Sequence, residues 1–183
     1  MHKHKNQSKW KRKLTNQEKI AFSKIRIKIK KKTQTGVKSS RILYFLHRVS
    51  NFFGCFAEDE VQSLALTSFP AYLIINLDPS HLPGSHWLAM RVDQKTVEVF
   101  DPAGFELMNW PRIPCSLLTL IHRLTSNRSL LVSKRTQSPT SNLCGFYCMF
   151  YVILRQHLTL KTIESFFSTN LSRNDTKLIK FFQ

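Results

Sequence analysis

Hydrophobic residues are concentrated in short blocks after residue 41, and the spacing within each block predicts its secondary structure. Runs of β-branched and aromatic residues that end at polar turns predict strands, whereas longer apolar segments predict helices. We therefore predict strands over residues 72–77, 86–92, 97–101 and 129–133, and helices over residues 58–66, 114–124 and 160–167. A chain of 183 residues, 42% of them hydrophobic, is long enough for one such globular domain and short for two.

The segment 144–154 is apolar at almost every position, which is typical of a helix buried on nearly all sides. Ser141 or Asn142 is a suitable N-cap residue, because a short polar side chain accepts a hydrogen bond from the first turn of a helix. Cys144 therefore falls in the first turn of this predicted central helix.

Cys144 is a candidate nucleophile. A cysteine attacks only as a thiolate, which the positive end of a helix dipole and a neighbouring histidine both favour. Gly145 after it lets a substrate carbonyl approach the backbone, and the N–H groups of the first turn can face a developing oxyanion. By residue type alone, an inert buried thiol is the competing interpretation.

The predicted strands 86–92 and 97–101 are separated by the polar turn 93–96. This arrangement predicts a hairpin in which Val92 pairs with Val97. Leu88 then lies opposite Asp101, and His86 lies one pair further along on the same face. Diagonal Cβ atoms are roughly 7 Å apart, which one hydrogen bond between imidazole and carboxylate spans. The prediction depends on the register, since a slip of one residue separates the two side chains. A strand-edge histidine and a turn-forming aspartate are the alternatives.

The positive charge is concentrated at the N-terminus. Residues 1–41 contain 15 Lys or Arg and the single acid Glu18, so they carry 14 of the 17 net positive charges. We therefore predict a flexible basic tail over residues 1–41 and a folded domain over residues 42–183. Residues 24–32 partly alternate between apolar and basic positions, which predicts an amphipathic strand when the tail meets a partner.

The basic tail suits a polyanion, with nucleic acid first and an anionic membrane surface second, and a nuclear address is a further role for it. The competing interpretation is a solvated tail with no dedicated partner. The residues expected to bind nucleic acid are Lys11, Arg12, Lys13, Lys28, Lys30, Lys31 and Lys32.

The chain has no run approaching the roughly 18 apolar residues that span a bilayer, and its first residues are charged where a signal peptide has its apolar core. The four cysteines are too few and too irregularly spaced for a secreted disulfide framework. We therefore expect a soluble intracellular protein, not a membrane protein, whose cysteines remain thiols.

Three segments together resemble the adenovirus protease (adenain) family. They are residues 83–87 (PGSHW), residues 97–105 (VEVFDPAGF), and residues 137–150, in which Gln137 comes seven residues before Cys144. The chain also resembles the proteases of Polinton and Maverick elements and of adintoviruses and, more distantly, the SUMO-specific proteases of the same structural clan. The similarity covers about residues 52–150.

The resemblance implies an α+β fold in which the central helix carries the nucleophile and packs on a small mixed sheet that carries the histidine and the acid. Trp87, which packs beside the histidine in the family, joins Gly145 as an expected substrate-binding residue, although core packing is the usual role of a single Trp. The catalytic roles that the resemblance implies are His86 as general base, Asp101 as the residue that orients it, Cys144 as nucleophile and Gln137 as side-chain donor of the oxyanion hole.

The chain departs from the family in two places. The adenovirus enzyme has Glu where this chain has Asp101, but the SUMO-protease branch uses Asp and either acid can orient an imidazole. The adenovirus enzyme also joins a viral activating peptide through a cysteine, and here that position is Ser126. Because Cys115 lies at a different spacing, we do not expect a disulfide-linked activator; DNA, the other activator in the family, fits the basic tail better.

Cys148 lies four residues after Cys144, on the same face of the predicted helix, so a metal-binding pair is an alternative. The remaining histidines offer no second pair at zinc spacing, and the family has a cysteine at this place without metal. We expect no metal, and no cofactor that the chemistry requires.

These features predict a cysteine endopeptidase of a virus or virus-like element, which cleaves capsid or core precursor proteins during virion maturation. We expect a monomer in the host nucleus and the virion. Two alternatives remain: an isopeptidase that removes SUMO or other ubiquitin-like proteins, and a nucleic-acid-binding protein with a residual triad. An isopeptidase needs an extended surface for a folded modifier, and this chain is short for that.

Overall fold

The computed structural model describes residues 36–104 and 113–182. The seven basic residues expected to bind nucleic acid and the segment 24–32 lie outside the described residues. Among the described residues, no helix combines the length and the apolar character needed to cross a membrane. The elements in chain order are helix α1 (Ser39–Leu46), strand β1 (Phe52–Phe56), a 3₁₀ helix (Glu58–Ser63), strands β2 (Ala71–Asn76), β3 (Trp87–Val92) and β4 (Thr96–Phe100), helix α2 (Cys115–Thr125), strand β5 (Ser129–Val132), and helices α3 (Cys144–Arg155), α4 (Leu160–Glu164) and α5 (Leu171–Phe181).

Within the described residues the strands form one five-stranded sheet in the order β1-β2-β3-β4-β5. The outer pairs, β1 with β2 and β4 with β5, are parallel, while β2 with β3 and β3 with β4 are antiparallel. The predicted α+β fold with a small mixed sheet is thus confirmed. The four predicted strands agree with observed strands to within one residue at each end.

The β3–β4 hairpin has the predicted register. Val92 pairs with Val97, and the ladder continues to Ala89 opposite Phe100. Asp93 explains why the turn is so well defined, since its Oδ1 accepts hydrogen bonds from the N–H groups of residues 95 and 96, at 2.8 and 2.7 Å. The ladder extrapolates to Leu88 opposite residue 101, as the sequence predicted.

The two faces of the sheet bury separate cores. Helices α1, α3 and α5 pack on one face, and α2 with the 3₁₀ helix packs on the other. Strand β2 is therefore buried at all six positions, which explains its continuous apolar run. Residues 144–154 of α3 are all buried, and Tyr151 stacks on Phe100 of β4 with ring centroids 4.6 Å apart. The prediction of a central helix buried on nearly all sides is confirmed.

Several local predictions need correction. The N-cap of α3 is Leu143, not Ser141 or Asn142, and it makes no side-chain cap bond; the Ser141 hydroxyl instead accepts from the Leu143 N–H at 3.3 Å. The helix predicted over 58–66 is a 3₁₀ helix that ends at residue 63, and that over 160–167 ends at residue 164. Helix α5 was not predicted, because the first seven of its residues include one apolar residue, Leu171, and its apolar positions are concentrated at its C-terminal end.

A buried charge network joins β4 to the C-terminal end of α3. Glu98 is 2% exposed and accepts two hydrogen bonds from the Arg155 guanidinium, at 2.9 and 2.7 Å, and one from the Tyr151 hydroxyl at 2.7 Å. Arg91 of the neighbouring strand lies 3.4 Å from the same carboxylate. The network fixes how far along the sheet α3 can lie.

Replacing Arg155 with Met should therefore be costly, because it leaves the Glu98 carboxylate buried beside fewer donors. We expect a loss of about 3–5 kcal/mol in the free energy of unfolding, measured by urea denaturation. Arg173→Met on the exposed face of α5 is the matched control and should change it by less than about 0.5 kcal/mol. Equal values for the two variants would contradict a stabilising role for the network.

Candidate active site

His86 and Asp101 lie at adjacent ends of the hairpin and contact each other. Asp101 directly follows β4 and is fully buried, and His86 directly precedes β3. The imidazole Nε2 lies 2.7 Å from Asp101 Oδ1, which also accepts a hydrogen bond from the Ala103 N–H at 2.8 Å. The diagonal pair that the sequence predicted is therefore present.

Ser133 holds the backbone of Asp101 and was not predicted as part of the site. Its hydroxyl accepts a hydrogen bond from the Asp101 N–H at 3.0 Å and donates one to the Asp101 carbonyl at 3.2 Å. Ser133 itself directly follows β5, and its N–H donates to the Val99 carbonyl at 2.9 Å. The parallel β4–β5 pairing brings it there, and nothing in the local sequence indicates that contact.

The loop before His86 explains the Pro83-Gly84 pair. Gly84 has a φ of +87°, which L side chains rarely adopt, and a Cβ there would collide with the Asn76 side chain. After this turn the Leu77 N–H donates to the His86 carbonyl at 3.0 Å, which extends the β2–β3 ladder by one bond. The backbone of the histidine is thus fixed by the sheet.

Cys144 is the first residue of α3 and is 6% exposed. Its thiol is within hydrogen-bonding reach of the His86 imidazole. Because Nε2 faces Asp101, Nδ1 is the nitrogen left for the thiol. The structure brings together the three residues predicted as a triad.

The pKa of His86 reflects two opposing effects. Burial by itself lowers it, but the hydrogen bonds to Asp101 and to Cys144, with their charges, raise it from 6.5 to about 9. The imidazole is therefore protonated at neutral pH. A protonated imidazole beside a cysteine favours the thiolate that nucleophilic attack requires.

Gln137 lies in the loop that leads into α3 and is 5% exposed. Its backbone N–H and that of Thr136 both donate to the Pro102 carbonyl at 2.9 Å, next to Asp101. Its side-chain Nε2 donates to the Ser141 carbonyl at 2.5 Å. A carboxamide has two N–H donors, so this bond leaves one for a substrate.

Trp87 and Gly145 meet Val37, a contact that the sequence did not predict. The Trp87 indole donates to the Val37 carbonyl at 3.0 Å. A Cβ on Gly145 would lie 2.5 Å from the Val37 side chain and 3.2 Å from the Trp87 ring. Glycine is therefore required at 145 for this packing. The substrate-binding role of Trp87 and Gly145 remains a prediction.

The other cysteines differ from Cys144. Cys148 is fully buried and donates a hydrogen bond to the Trp87 carbonyl at 3.3 Å; burial first, then the charges of Cys144 and Asp101, raises its pKa well above its ordinary value. Burial raises the pKa of Cys55 to about 12. Both are therefore inert neutral thiols. The described residues contain no cluster of three or more His, Cys, Asp or Glu placed to hold a metal ion.

Comparisons with known proteins show which family the chain resembles. The model of the adenovirus endoprotease family matches residues 52–172. The protease of bovine adenovirus 7 is 29% identical over 134 residues, which cover 60% of this chain and 66% of that protein. A cysteine protease of African swine fever virus is 29% identical over 117 residues, which cover 59% of this chain and 40% of that protein. The chain thus spans less than two thirds of the length of either relative.

Two solved structures have partial likeness to the chain. The crystal structure of the African swine fever virus protease is 24% identical, with a TM-score of 0.42. The match covers 61% of this chain and 42% of that protease chain. The structure of ChlaDub1 from Chlamydia trachomatis is 16% identical, with a TM-score of 0.39. The match covers 61% of this chain and 56% of the ChlaDub1 chain.

The raised pKa of His86 predicts a pH dependence. The imidazolium form is stabilised by folding, so its contribution to stability is complete below pH 6.5 and is lost as pH rises through about 9. Asp101→Asn removes the carboxylate and leaves the burial, so the titration midpoint should fall below 9. NMR titration of ¹³C-labelled histidine, with the His86 signal assigned by its absence in His86→Gln, measures the midpoint.

Asp93→Asn, at the far end of the hairpin, is the control and should leave the His86 midpoint unchanged. A wild-type midpoint at or below 6.5 would mean that burial outweighs the two hydrogen bonds.

Proposed function

Because the chain belongs to the adenovirus endoprotease family, we propose that it is a cysteine endopeptidase in which Cys144, His86 and Asp101 form the catalytic triad. The observation that carries the proposal is the position of one imidazole between a buried carboxylate, 2.7 Å away, and the thiol at the start of α3. This is the arrangement in which a histidine activates a thiol and later donates a proton.

The proposed mechanism begins with attack of the Cys144 thiolate on the carbonyl carbon of a peptide bond. The developing oxyanion receives hydrogen bonds from N–H groups of the first turn of α3 and from the Gln137 amide. The His86 imidazolium protonates the leaving amine, which departs as the C–N bond breaks and a thioester remains. Water, deprotonated by the neutral His86, then attacks the thioester; the C–S bond breaks, the peptide leaves as a carboxylic acid, and the thiolate and imidazolium are restored.

We extend the proposal to the substrates and place of action. Both named relatives are viral proteases, which supports cleavage of capsid or core precursor proteins during virion maturation, in the host nucleus and the virion. An isopeptidase acting on ubiquitin-like proteins would use the same triad. Co-expression with capsid precursors from the same genome, followed by mapping of new N-termini, distinguishes the two, because an isopeptidase produces no new N-terminus within a precursor.

We also propose that the basic tail binds DNA and so concentrates the enzyme where its substrates lie. The charge of the tail supports this proposal, because residues 1–41 carry 14 of the 17 net positive charges of the chain. DNA serves in this proposal as an activator through proximity and is not required for the chemistry.

The nucleophile assignment predicts that Cys144→Ala abolishes peptide hydrolysis and leaves the fold intact. Cys148→Ser is the matched control: it lies one turn further along the same helix, its hydroxyl can still donate to the Trp87 carbonyl, and it should keep wild-type turnover. Turnover is measured with a fluorogenic tetrapeptide chosen from a positional-scanning library, and the fold by circular dichroism. A Cys144→Ala protein that cleaves the peptide at the wild-type rate would show that another residue is the nucleophile.

The tail proposal predicts that DNA affinity falls by orders of magnitude between about 50 and 200 mM salt, because several released counterions accompany binding. A protein lacking residues 1–35 should lose that salt-dependent term and still cleave a free peptide. The deletion stops at residue 35 because Val37 packs on Gly145. Titration of labelled duplex across a salt series measures the affinity.

A variant with every Lys and Arg of residues 1–35 replaced by Gln separates charge from chain length and should behave like the deletion. Equal affinities of the full-length and shortened proteins would exclude the tail as the DNA-binding element.

A further inference from the structure

Helix α5 contacts the loop that carries Gln137. We define the oxyanion loop as residues 136–142, between β5 and α3. One side of the loop is bonded to Pro102 through two backbone N–H groups. The other side faces two consecutive residues of α5, Asn174 and Asp175, to which neither the sequence nor the proposed mechanism assigns a role.

Asn174 holds the beginning of the loop. It is fully buried, and its Nδ2 donates to the Thr136 carbonyl at 3.0 Å and to the Ser168 carbonyl at 2.8 Å. Its Oδ1 accepts from the Ser168 N–H at 2.9 Å and from the Ser168 hydroxyl at 3.1 Å. Both donors and both lone pairs of the amide are thus used, so its orientation is fixed and Thr136, next to Gln137, is fixed with it.

Asp175 holds the middle of the loop and connects it to the nucleophile helix. Its Oδ1 accepts from the Tyr147 hydroxyl of α3 at 2.8 Å and lies 3.5 Å from the Ser138 N–H. It also interacts with the Ser141 side chain. Ser141 is the residue whose carbonyl accepts from the Gln137 amide. Asp175 therefore contacts the residue after Gln137, the residue that accepts from the Gln137 amide and, through Tyr147, the helix that begins at Cys144.

We propose that Asn174 and Asp175 are positioning residues, which hold the Gln137 amide where the oxyanion develops. The inference rests on the proposed endopeptidase function. An oxyanion donor accelerates the reaction only if it is pre-organised, and misplacement by about 1 Å can reduce the rate roughly a hundredfold. The oxyanion loop is rich in polar turn-forming residues, so its own sequence does not supply that rigidity.

The competing explanation is that α5 only stabilises the domain. Its Leu178 is buried in the core, and the adjoining Phe182 packs on Phe146 with ring centroids 5.6 Å apart. The experiment must therefore separate loss of helix stability from displacement of the loop. Asn170 provides the control, because its side chain caps α5 by accepting from the Arg173 N–H at 3.0 Å, and its described hydrogen bonds go to residues 168, 173 and 174.

The test is a double-mutant cycle with Gln137→Ala, which by itself should lower kcat by about 100- to 1,000-fold. Asn174→Ala and Asp175→Ala should each lower kcat by about tenfold or more with KM unchanged, and should add little when Gln137 is already Ala. Asn170→Ala should lower the melting temperature without this change in kcat. If Asn174→Ala does not fold, Asp175→Ala at its half-buried position carries the test alone.

Two further measurements separate loop placement from the triad. The rate of Cys144 alkylation by iodoacetamide should stay at the wild-type value, because the thiol and His86 are untouched. Amide hydrogen exchange at Thr136 and Gln137 should accelerate in the α5 variants, while exchange within the β3–β4 ladder should not. The expected result is a kcat loss that depends on Gln137, together with faster exchange in the oxyanion loop.

The proposal is overturned if kcat losses multiply with that of Gln137→Ala, if alkylation slows in parallel with kcat, or if loop exchange is unchanged. Hydrogen exchange does not need a substrate. If the wild-type protein cleaves no peptide, the proposed function fails. Amide hydrogen exchange in the α5 variants still decides whether Asn174 and Asp175 hold the loop.

Discussion

The register of the β3–β4 hairpin is the constraint on which the rest of the structure depends. This register directs the side chains of Glu98 and Phe100 of β4 toward α3, where they contact Arg155 and Tyr151. It also places His86 beside Asp101, just beyond the last ladder pair. A slip of one residue would turn Glu98 into the opposite, apolar core and separate the imidazole from its carboxylate. The same pairing therefore controls both the packing of the central helix and the geometry of the site.

Both ends of α3 are fixed by β4 or by the residue that directly follows it. At the C-terminal end the buried Glu98 carboxylate receives hydrogen bonds from Arg155 and Tyr151. At the N-terminal end Asp101 holds the imidazole that meets the Cys144 thiol. Burying a carboxylate is unfavourable unless it is paired. Glu98 is bonded through both oxygens, whereas Asp101 is bonded through Oδ1 alone, to His86 and the Ala103 N–H. A helix fixed at both ends has little freedom to slide, which keeps the candidate nucleophile in register with its candidate base.

The parts of this arrangement that were predictable from sequence depend on short-range patterns. The hairpin followed from two β-rich runs and a polar turn, and the position of Cys144 from the apolar run that begins there. The predicted N-cap of α3 was wrong. Ser141 and Asn142 are good capping residues by type, but the loop directs the Ser141 carbonyl toward the Gln137 amide. Type alone does not reveal that competing bond.

The residues of the site that were not predicted were missed for a different reason. Ser133, Val37, Asn174 and Asp175 reach the site through contacts with residues far along the chain, and each is an ordinary residue in its own segment. Asn170, three residues before Arg173, is a recognisable cap for α5, but the helix it begins has too few apolar positions to be predicted. The contact between Val37 and Gly145 illustrates the difficulty well, since a glycine after a candidate nucleophile is readily explained by substrate access alone. In the structure its missing side chain makes room for Val37, two residues before α1 begins, and for the Trp87 ring. Packing between distant segments therefore completes a site whose central residues local patterns could already indicate.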